Sequence, residues 1–428
     1  YYILFQKIGF NGLLILNTIL VLLAFGLIIS RVFKKTSTIP LLFCSLVYIP
    51  ILFERTDVRP EFFSFLFLSV FIIILYKFRE KFTRLIFLLP LVELLWVNTH
   101  IYFPIGIVLI VFFAIDSIIK HKSLNSRYIG IFAVVLAGCI FATFLNPNGL
   151  KGALYPFSVF QNYGYSIEEN QNIFFLWSII HKQSILFFFI AVPLLFVSLI
   201  LNLKRVLLVD WFISIFFTIL AMLSIRNFPL FVLATFIPFV KYASSLNLFG
   251  ISKHIKIVLI VLLLFLALFE TQQVYVKKGF GLGVEKGAKD AADFFITNNL
   301  KGPIFNNFDI GSYLDYHLYP KEKVFVDGRP EAYPASFFQD IYIPMQLDEN
   351  RFEKENQKYK FNTIFFSHTD QTPWGENFIK QVAKNNKWKL VYLDDFTVIL
   401  TKDPPGGEAG KNIKRIIKTD YSDTRSLI

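Results

Sequence analysis

The residues able to do chemistry lie in short polar clusters between long apolar runs. The first is ERTDVRPE, where Glu54, Arg55, Asp57, Arg59 and Glu61 bring both signs of charge between two hydrophobic segments. WVNTH follows with Trp96, Asn98 and His100. NPNG, at 146–149, opens a long polar stretch that also carries Glu168, Glu169 and Asn170, and IRN sets Arg226 beside Asn227. A carboxylate in such a setting can act as general base toward an acceptor hydroxyl, and arginine clamps a phosphate through paired N–H donors. Asp57 and Glu54 are therefore the candidate catalytic residues, and Arg59, Asn98, His100 and Arg226 the candidate substrate-binding residues. These types suit a reaction whose donor is a lipid-linked phosphate, such as a sugar on polyprenyl phosphate. Asp57 and Arg59 are expected to face one polar cavity near His100 and Arg226.

Each cluster also has a plainer reading. Arg55 and Glu61 at a span boundary can be solvated charges. Arg59 ahead of Pro60 fits a helix start, where proline suits the first turn. A lone His100 can be an interfacial histidine, and NPNG makes a turn whatever else it does. The site reading rests on convergence, because the clusters all fall on the same side of the chain's expected topology.

That topology follows from composition. Of 428 residues, 55% are hydrophobic and 52 are Phe, and the mean hydropathy is +0.54; a chain so rich in large apolar residues belongs to the membrane class. Apolar stretches recur near 10–30, 39–53, 62–76, 85–98, 101–119, 128–145, 184–201, 206–224, 228–240 and 257–275. They predict a polytopic α-helical membrane domain of about ten spans, several of them short. Lys and Arg concentrate in every second loop, around residues 31–35, 77–84, 120–127, 204–205 and 241–256, which the positive-inside rule assigns to the cytoplasm. The polar clusters then fall outside. The net charge of +12 is thus spread over loops rather than gathered on one basic face, which excludes a nucleic-acid partner. Tyr1 is expected to start outside, in a chain lacking at least its first span. Cys44 and Cys139 both lie in expected spans, leaving no disulfide framework and no Cys-based metal site.

The C-terminal third changes character. Residues 285–299 have helical spacing, PIFNN and KVFVDGR read as strands around a helical GSYLDYHL, and NTIFFSH, TPWGENFIKQVAKNN, KLVYLDD and FTVILTK continue the alternation. An extracytoplasmic α/β domain is expected over 277–402, after a transmembrane domain at 1–276 and before a polar, disordered tail at 403–428. Asp309, Asp327, Arg329 and Glu331 are expected to form a structural network, docking the domain, at the carboxyl ends of adjacent strands; because α/β sheets bind ligands there, recognition of acceptor or donor is the alternative. No P-loop, GxGxxG, HExxH or nucleophile elbow is present.

The runs RPEFFSFLF, LLPLVELLWVNTH, FLNPNG and IRNFPLF, with GPIFNNFDIGSYLDYHLYPKEKVFVDGRPEAYP, resemble bacterial multispan membrane proteins of the GT-C glycosyltransferase superfamily. Within them the chain resembles, over nearly its whole length, a poorly characterised group with an RP…WxNxH…NPxG…DGRxExY layout, whose own likeness to the glycosyltransferases rests on architecture. The resemblance implies a GT-C-like membrane domain in the bacterial cytoplasmic membrane, transfer of a hexosyl or pentosyl group from polyprenyl phosphate on the extracytoplasmic side, and membrane lipid and lipid-linked sugar as partners. Such enzymes keep an essential Asp in their first outer loop, which is absent or truncated here, so Asp57 and Glu54 in the next outer loop are expected to be accessory. No cofactor beyond the donor substrate is called for, with a divalent metal an open alternative. The rival readings are a transporter or flippase of lipid-linked intermediates and a non-catalytic membrane scaffold. Sugar, acceptor and oligomeric state are not legible in the sequence.

Overall fold

The computed structural model describes residues 1–404 apart from 56–57, 122–126, 159–162, 166–167, 371 and most of 247–287. The chain divides into two units, Tyr1–Phe160 with Ile167–Gly283, and Gln161–Ser166 with Val284–Ile428.

The first unit is helical. Among the described residues, four helical segments are long and apolar enough to cross a membrane: α1 (Tyr2–Phe33), α3 (Glu61–Glu80), α9 (Gln183–Leu201) and Ile225–Ser245, most of which is α11 (Phe228–Ser245). This is compatible with membrane insertion, but ten spans do not appear among the described residues. Three further apolar helices, α2 (Thr38–Leu52), α6 (Arg127–Thr143) and α10 (Leu208–Leu223), are shorter. At 1.5 Å per residue, a helix of α2's length reaches only about 22 Å against a hydrocarbon core of about 30 Å. The stretch expected at 85–98 breaks into a 3-10 turn, Arg84–Leu88, and the short α4 (Leu89–Val97), with Pro90 in its first turn. That at 101–119 forms α5 (Pro104–His121). The segment 257–275 lies mostly outside the described residues.

Burial ranks the long helices. The apolar windows of α3 and Ile225–Ser245 are 72% and 83% buried, against 33% and 39% for α1 and α9. So α3 and α11 are central, while α1 and α9 turn most of their apolar surface outward, as a lipid-facing helix does. Phe65, Leu68, Phe71, Ile72 and Leu75 line α3's buried length, and α3 packs on α1, α4, α5 and α11. Tyr48 of α2, fully buried, stacks on Phe239 and bonds Thr235 through its hydroxyl at 3.0 Å.

The second unit holds a small mixed sheet of β1 (Ile304–Asn306), β2 (Thr363–Ser367), β3 (Lys389–Leu393) and β4 (Thr397–Thr401) in the order β1-β2-β4-β3. β1 and β2 are parallel; β4 runs antiparallel to β2 and β3. Helices Asp290–Thr297, Phe308–Leu318, Glu349–Tyr359 and Pro373–Val382 accompany it. KVFVDGR forms no strand, although its apolar alternation predicts one. Phe325 N and Val326 N instead donate to Asn306 Oδ1, and Asn306 Nδ2 donates to the Val326 carbonyl. One amide side chain thus takes the bonds a neighbouring strand would take. The tail expected to be disordered lies, from residue 405, outside the described residues.

Candidate functional site

The N-terminus of α3 anchors a polar cluster in the first unit. Glu61, the first residue of α3, favours that helix end electrostatically yet is only 1% exposed, and a carboxylate so buried needs partners. It accepts from Arg55 Nε at 2.8 Å and Arg226 Nε at 3.2 Å. Arg55, itself buried, also donates from Nη1 to Glu169 Oε2 at 2.5 Å. Arg59 reaches the same glutamate, Nη2 to Oε1 at 2.7 Å. Among the described residues, Arg226, Glu61, Arg55, Glu169 and Arg59 thus form a chain of alternating sign. Ser224 Oγ donates to the Glu169 carbonyl at 2.7 Å and holds that loop in place.

Electrostatics follow this geometry. Burial pushes the Glu169 carboxyl up, but Arg55, Arg59 and Arg226 together hold it below the ordinary carboxylate range. Burial pulls the Arg55 guanidinium down, and Glu61 and Glu169 more than offset it, leaving it above its ordinary value. Arg55 Nη2 is nonetheless buried and has no hydrogen-bond partner among the described residues.

His100, in the connection between α4 and α5, stands beside this chain. Its Nδ1 lies 3.0 Å from Ser64 Oγ, which also accepts from Trp96 Nε1 at 2.8 Å. Its ring packs edge-on against Tyr102, whose hydroxyl donates to Asn227 Oδ1 at 3.0 Å. Burial, and then the charges of Arg226 and Arg55, push the imidazole down to about 3. The ring is therefore neutral at neutral pH.

The candidates from sequence divide accordingly. Arg59, His100 and Arg226 come together with Arg55 and Glu61. Asp57 lies outside the described residues. Glu54 is engaged elsewhere, accepting from Lys182 Nζ at 3.0 Å and from the Ser184 hydroxyl at the start of α9. Asn98 is exposed and structural, its amide donating to the carbonyls of Leu94 and Leu145. Sequence reasoning missed Ser64, Tyr102, Lys182 and Ser184, and gave Glu169 no role beyond the long polar loop. Ser64, one of two serines buried on α3's largely apolar face, was the available signal.

In the second unit, Asp327 and Arg329 pair. Asp327, 3% exposed, accepts from Arg329 N at 3.0 Å, from its Nε and from its Nη2. Burial pushes the Asp327 carboxyl up and Arg329 holds it below its usual value; nearby Asp315 is pushed up by burial and by Asp327. Glu331 is exposed and stands outside this pair. Asp309 lines a different feature, a cavity of about 280 Å³ shared with Tyr313, Asp394 and Phe396. The four residues expected in one network thus do not all meet, because Asp309 lies in the first turn of a helix while Asp327 starts a turn.

Among the described residues no group of three or more His, Cys, Asp or Glu is arranged to hold a metal ion. No protein-family model matches the chain, and no curated protein matches it significantly.

Proposed function

We propose that this chain is an integral membrane glycosyltransferase-like protein that transfers a sugar from a polyprenyl-phosphate donor. The buried, unpartnered Nη2 of Arg55 carries the reading. It is a donor inside an arginine-rich chain, and a phosphate oxygen is its natural complement. The acceptor oxygen bonds to C1 of the sugar as the C1–O bond to phosphate breaks. Polyprenyl phosphate leaves with the bonding pair, and the acceptor's proton passes to a base. Charge growing on the phosphate is met by arginines already fixed by Glu61 and Glu169, the kind of preorganised stabilisation that lowers a barrier most.

Asp57 is the base this reading assigns, close in sequence to Arg55 and Arg59. Glu54, Glu61 and Glu169 are each committed to cations, and the surroundings of His100 disfavour its protonated form, so neither set offers a better base among the described residues. The finer features belong to the same proposal: about ten spans in a GT-C-like arrangement, the bacterial cytoplasmic membrane, and an extracytoplasmic C-terminal unit.

A second reading, transport of a lipid-linked intermediate, is favoured by Glu93, fully buried on α4 with both carboxyl oxygens unpartnered among the described residues. Intramembrane acids of this kind often mark a transport path. Incubation of the protein in liposomes with radiolabelled polyprenyl-phosphate sugar separates the two. Loss of label from the lipid to an acceptor, abolished by Arg55→Lys, supports transfer; label that crosses the bilayer still attached to its lipid overturns it.

A further inference from the structure

At the opposite end of α3, about 30 Å from Glu61 at helical rise, a second polar cluster surrounds a cavity of about 350 Å³. Four cations line it: Arg31 near the end of α1, Lys35 in the turn after it, Arg79 near the end of α3 and Lys241 on α11. Their carboxylates are too few. Arg31 Nη2 at 2.6 Å and Lys35 Nζ at 3.0 Å share a single oxygen, Glu80 Oε1. Arg79 Nε meets Asp116 Oδ2 at 2.6 Å, and Lys241 Nζ meets Asp210 Oδ2 at 3.0 Å. Both aspartates carry further hydrogen bonds. Asp116 also accepts from Val209 N, and Asp210 from the hydroxyls of Tyr76 and Tyr242. Among the described residues one positive charge remains in excess, where Lys35 and Lys241 have side chains 58% and 40% exposed. Val32, Leu207 and Ile237 supply an apolar wall beside it.

Basic residues at helix ends are ordinary. They complement the C-terminal helix dipoles, and at a membrane boundary each extends separately toward water. Here cations from three helices and a turn converge on one cavity instead, two of them competing for one oxygen. Excess charge beside an apolar wall is the complement of a phosphate that carries a hydrocarbon tail. We propose that this cavity binds the phosphate headgroup of an anionic membrane lipid, Lys35 and Lys241 meeting the phosphate while acyl chain lies along Val32, Leu207 and Ile237. Basic pockets between membrane helices recognise lipid headgroups in this way. The inference rests on membrane insertion of the first unit and not on sugar transfer.

The test is native mass spectrometry of the full chain released from nanodiscs, with phosphatidylglycerol and phosphatidylcholine in equal amounts and inorganic phosphate as competitor. The chain should enter the discs and keep phosphatidylglycerol under activation that strips phosphatidylcholine. Lys35→Gln with Lys241→Gln should weaken that retention by about thirtyfold, and Lys380→Gln, exposed on the second unit, should leave it unchanged. Lys35→Gln alone, at an exposed position, gives a partial loss readable even where the double variant folds poorly. Equal retention of the two lipids, or a double variant that holds phosphatidylglycerol as before, overturns the proposal. Displacement of phosphatidylglycerol by millimolar inorganic phosphate assigns the site to a soluble anion and overturns the lipid as ligand. Failure to enter nanodiscs overturns membrane insertion with it, whereas lost lipid selectivity in a chain that enters them overturns the headgroup site alone.

Discussion

Arg55 and Glu61 face each other between α2 and α3, Nε 2.8 Å from Oε1, with side chains only 6% and 1% exposed. A pair this buried is costly to break from one side, because the survivor keeps its charge without a partner. Glu61→Gln should lower stability by about 3 kcal/mol or more, read as a fall in melting temperature of the detergent-solubilised chain. Arg55→Met with Glu61→Met should cost less than the sum of the single changes. Additive effects would show that the two side chains do not act as a pair.

Stability should fall on acidification through two groups of the cluster. His100 has its folded value depressed to about 3 from 6.5, and Glu169 is also depressed. A depressed group stabilises fully above its unfolded value and loses that contribution as pH falls toward the folded one. The His100 contribution therefore disappears between 6.5 and about 3, at no more than about 1.4 kcal/mol per pH unit. That of Glu169 is lost lower, below the ordinary glutamate range. His100→Gln should flatten the melting-temperature profile between about pH 6.5 and pH 5 while leaving the steeper acid limb. An unchanged profile would show that His100 does not titrate as its surroundings imply.

Although Arg55 and Glu61 read equally well as solvated charges and are instead buried, the meeting of Arg59, His100 and Arg226 was legible because each sits at the end of an apolar run. The pairing was not. Glu169 stands more than a hundred residues from Arg55 and Arg59, and no periodicity relates positions so far apart. Asp116 and Asp210 were overlooked for a related reason. Within apolar stretches they look like isolated exceptions until Arg79 and Lys241 arrive from other helices. Val324–Val326 shows the converse error, where local alternation was sound and a single side chain, Asn306, replaced the neighbouring strand.

Glu93 and Gly106 are coupled by contact. A Cβ built at Gly106 would meet Glu93 Oε2 at 2.5 Å and the Phe71 ring at 2.9 Å. Gly106→Ala should therefore cost about 1–3 kcal/mol by overpacking. Because Glu93 has no hydrogen-bond partner among the described residues, Glu93→Met should be neutral or raise the melting temperature. With Glu93→Ala in the background, the penalty of Gly106→Ala should shrink, since only Phe71 then resists. Additivity in this double-mutant cycle would argue against the contact.

Orientation can be read by single cysteines in a Cys44→Ser, Cys139→Ser background. Asn98→Cys, beside the first cluster, and Ser336→Cys, in the second unit, should react with an impermeant maleimide in intact cells. Lys204→Cys, in a basic loop, should react only after permeabilisation. Labelling of Lys204→Cys in intact cells, or protection of Ser336→Cys, would reverse the expected topology.

Asp327 and Arg329 form a lopsided pair, and the two halves should respond differently to substitution. Arg329 has a side chain 68% exposed, so its ion pair is screened by water; Arg329→Ala should cost at most about 1 kcal/mol. Asp327 is buried and also accepts the Arg329 backbone N–H. Its loss leaves that turn without its acceptor, and Asp327→Ala should cost about 1–3 kcal/mol. The backbone at 326–327 is fixed from its other side by Gly311, where an added Cβ would fall 2.1 Å from the Val326 carbonyl oxygen and 2.6 Å from Asp327 Cα. Both obstacles are backbone, so Gly311→Ala must move the loop and should destabilise at least as much as Asp327→Ala. If the turn serves only the fold, activity should decline in step with melting temperature across the three variants. Arg329→Lys discriminates most sharply, because it keeps the charge and removes the bidentate geometry. An unchanged melting temperature with transfer from polyprenyl-phosphate sugar abolished would show that Arg329 reads a ligand, and would overturn the structural role expected for it.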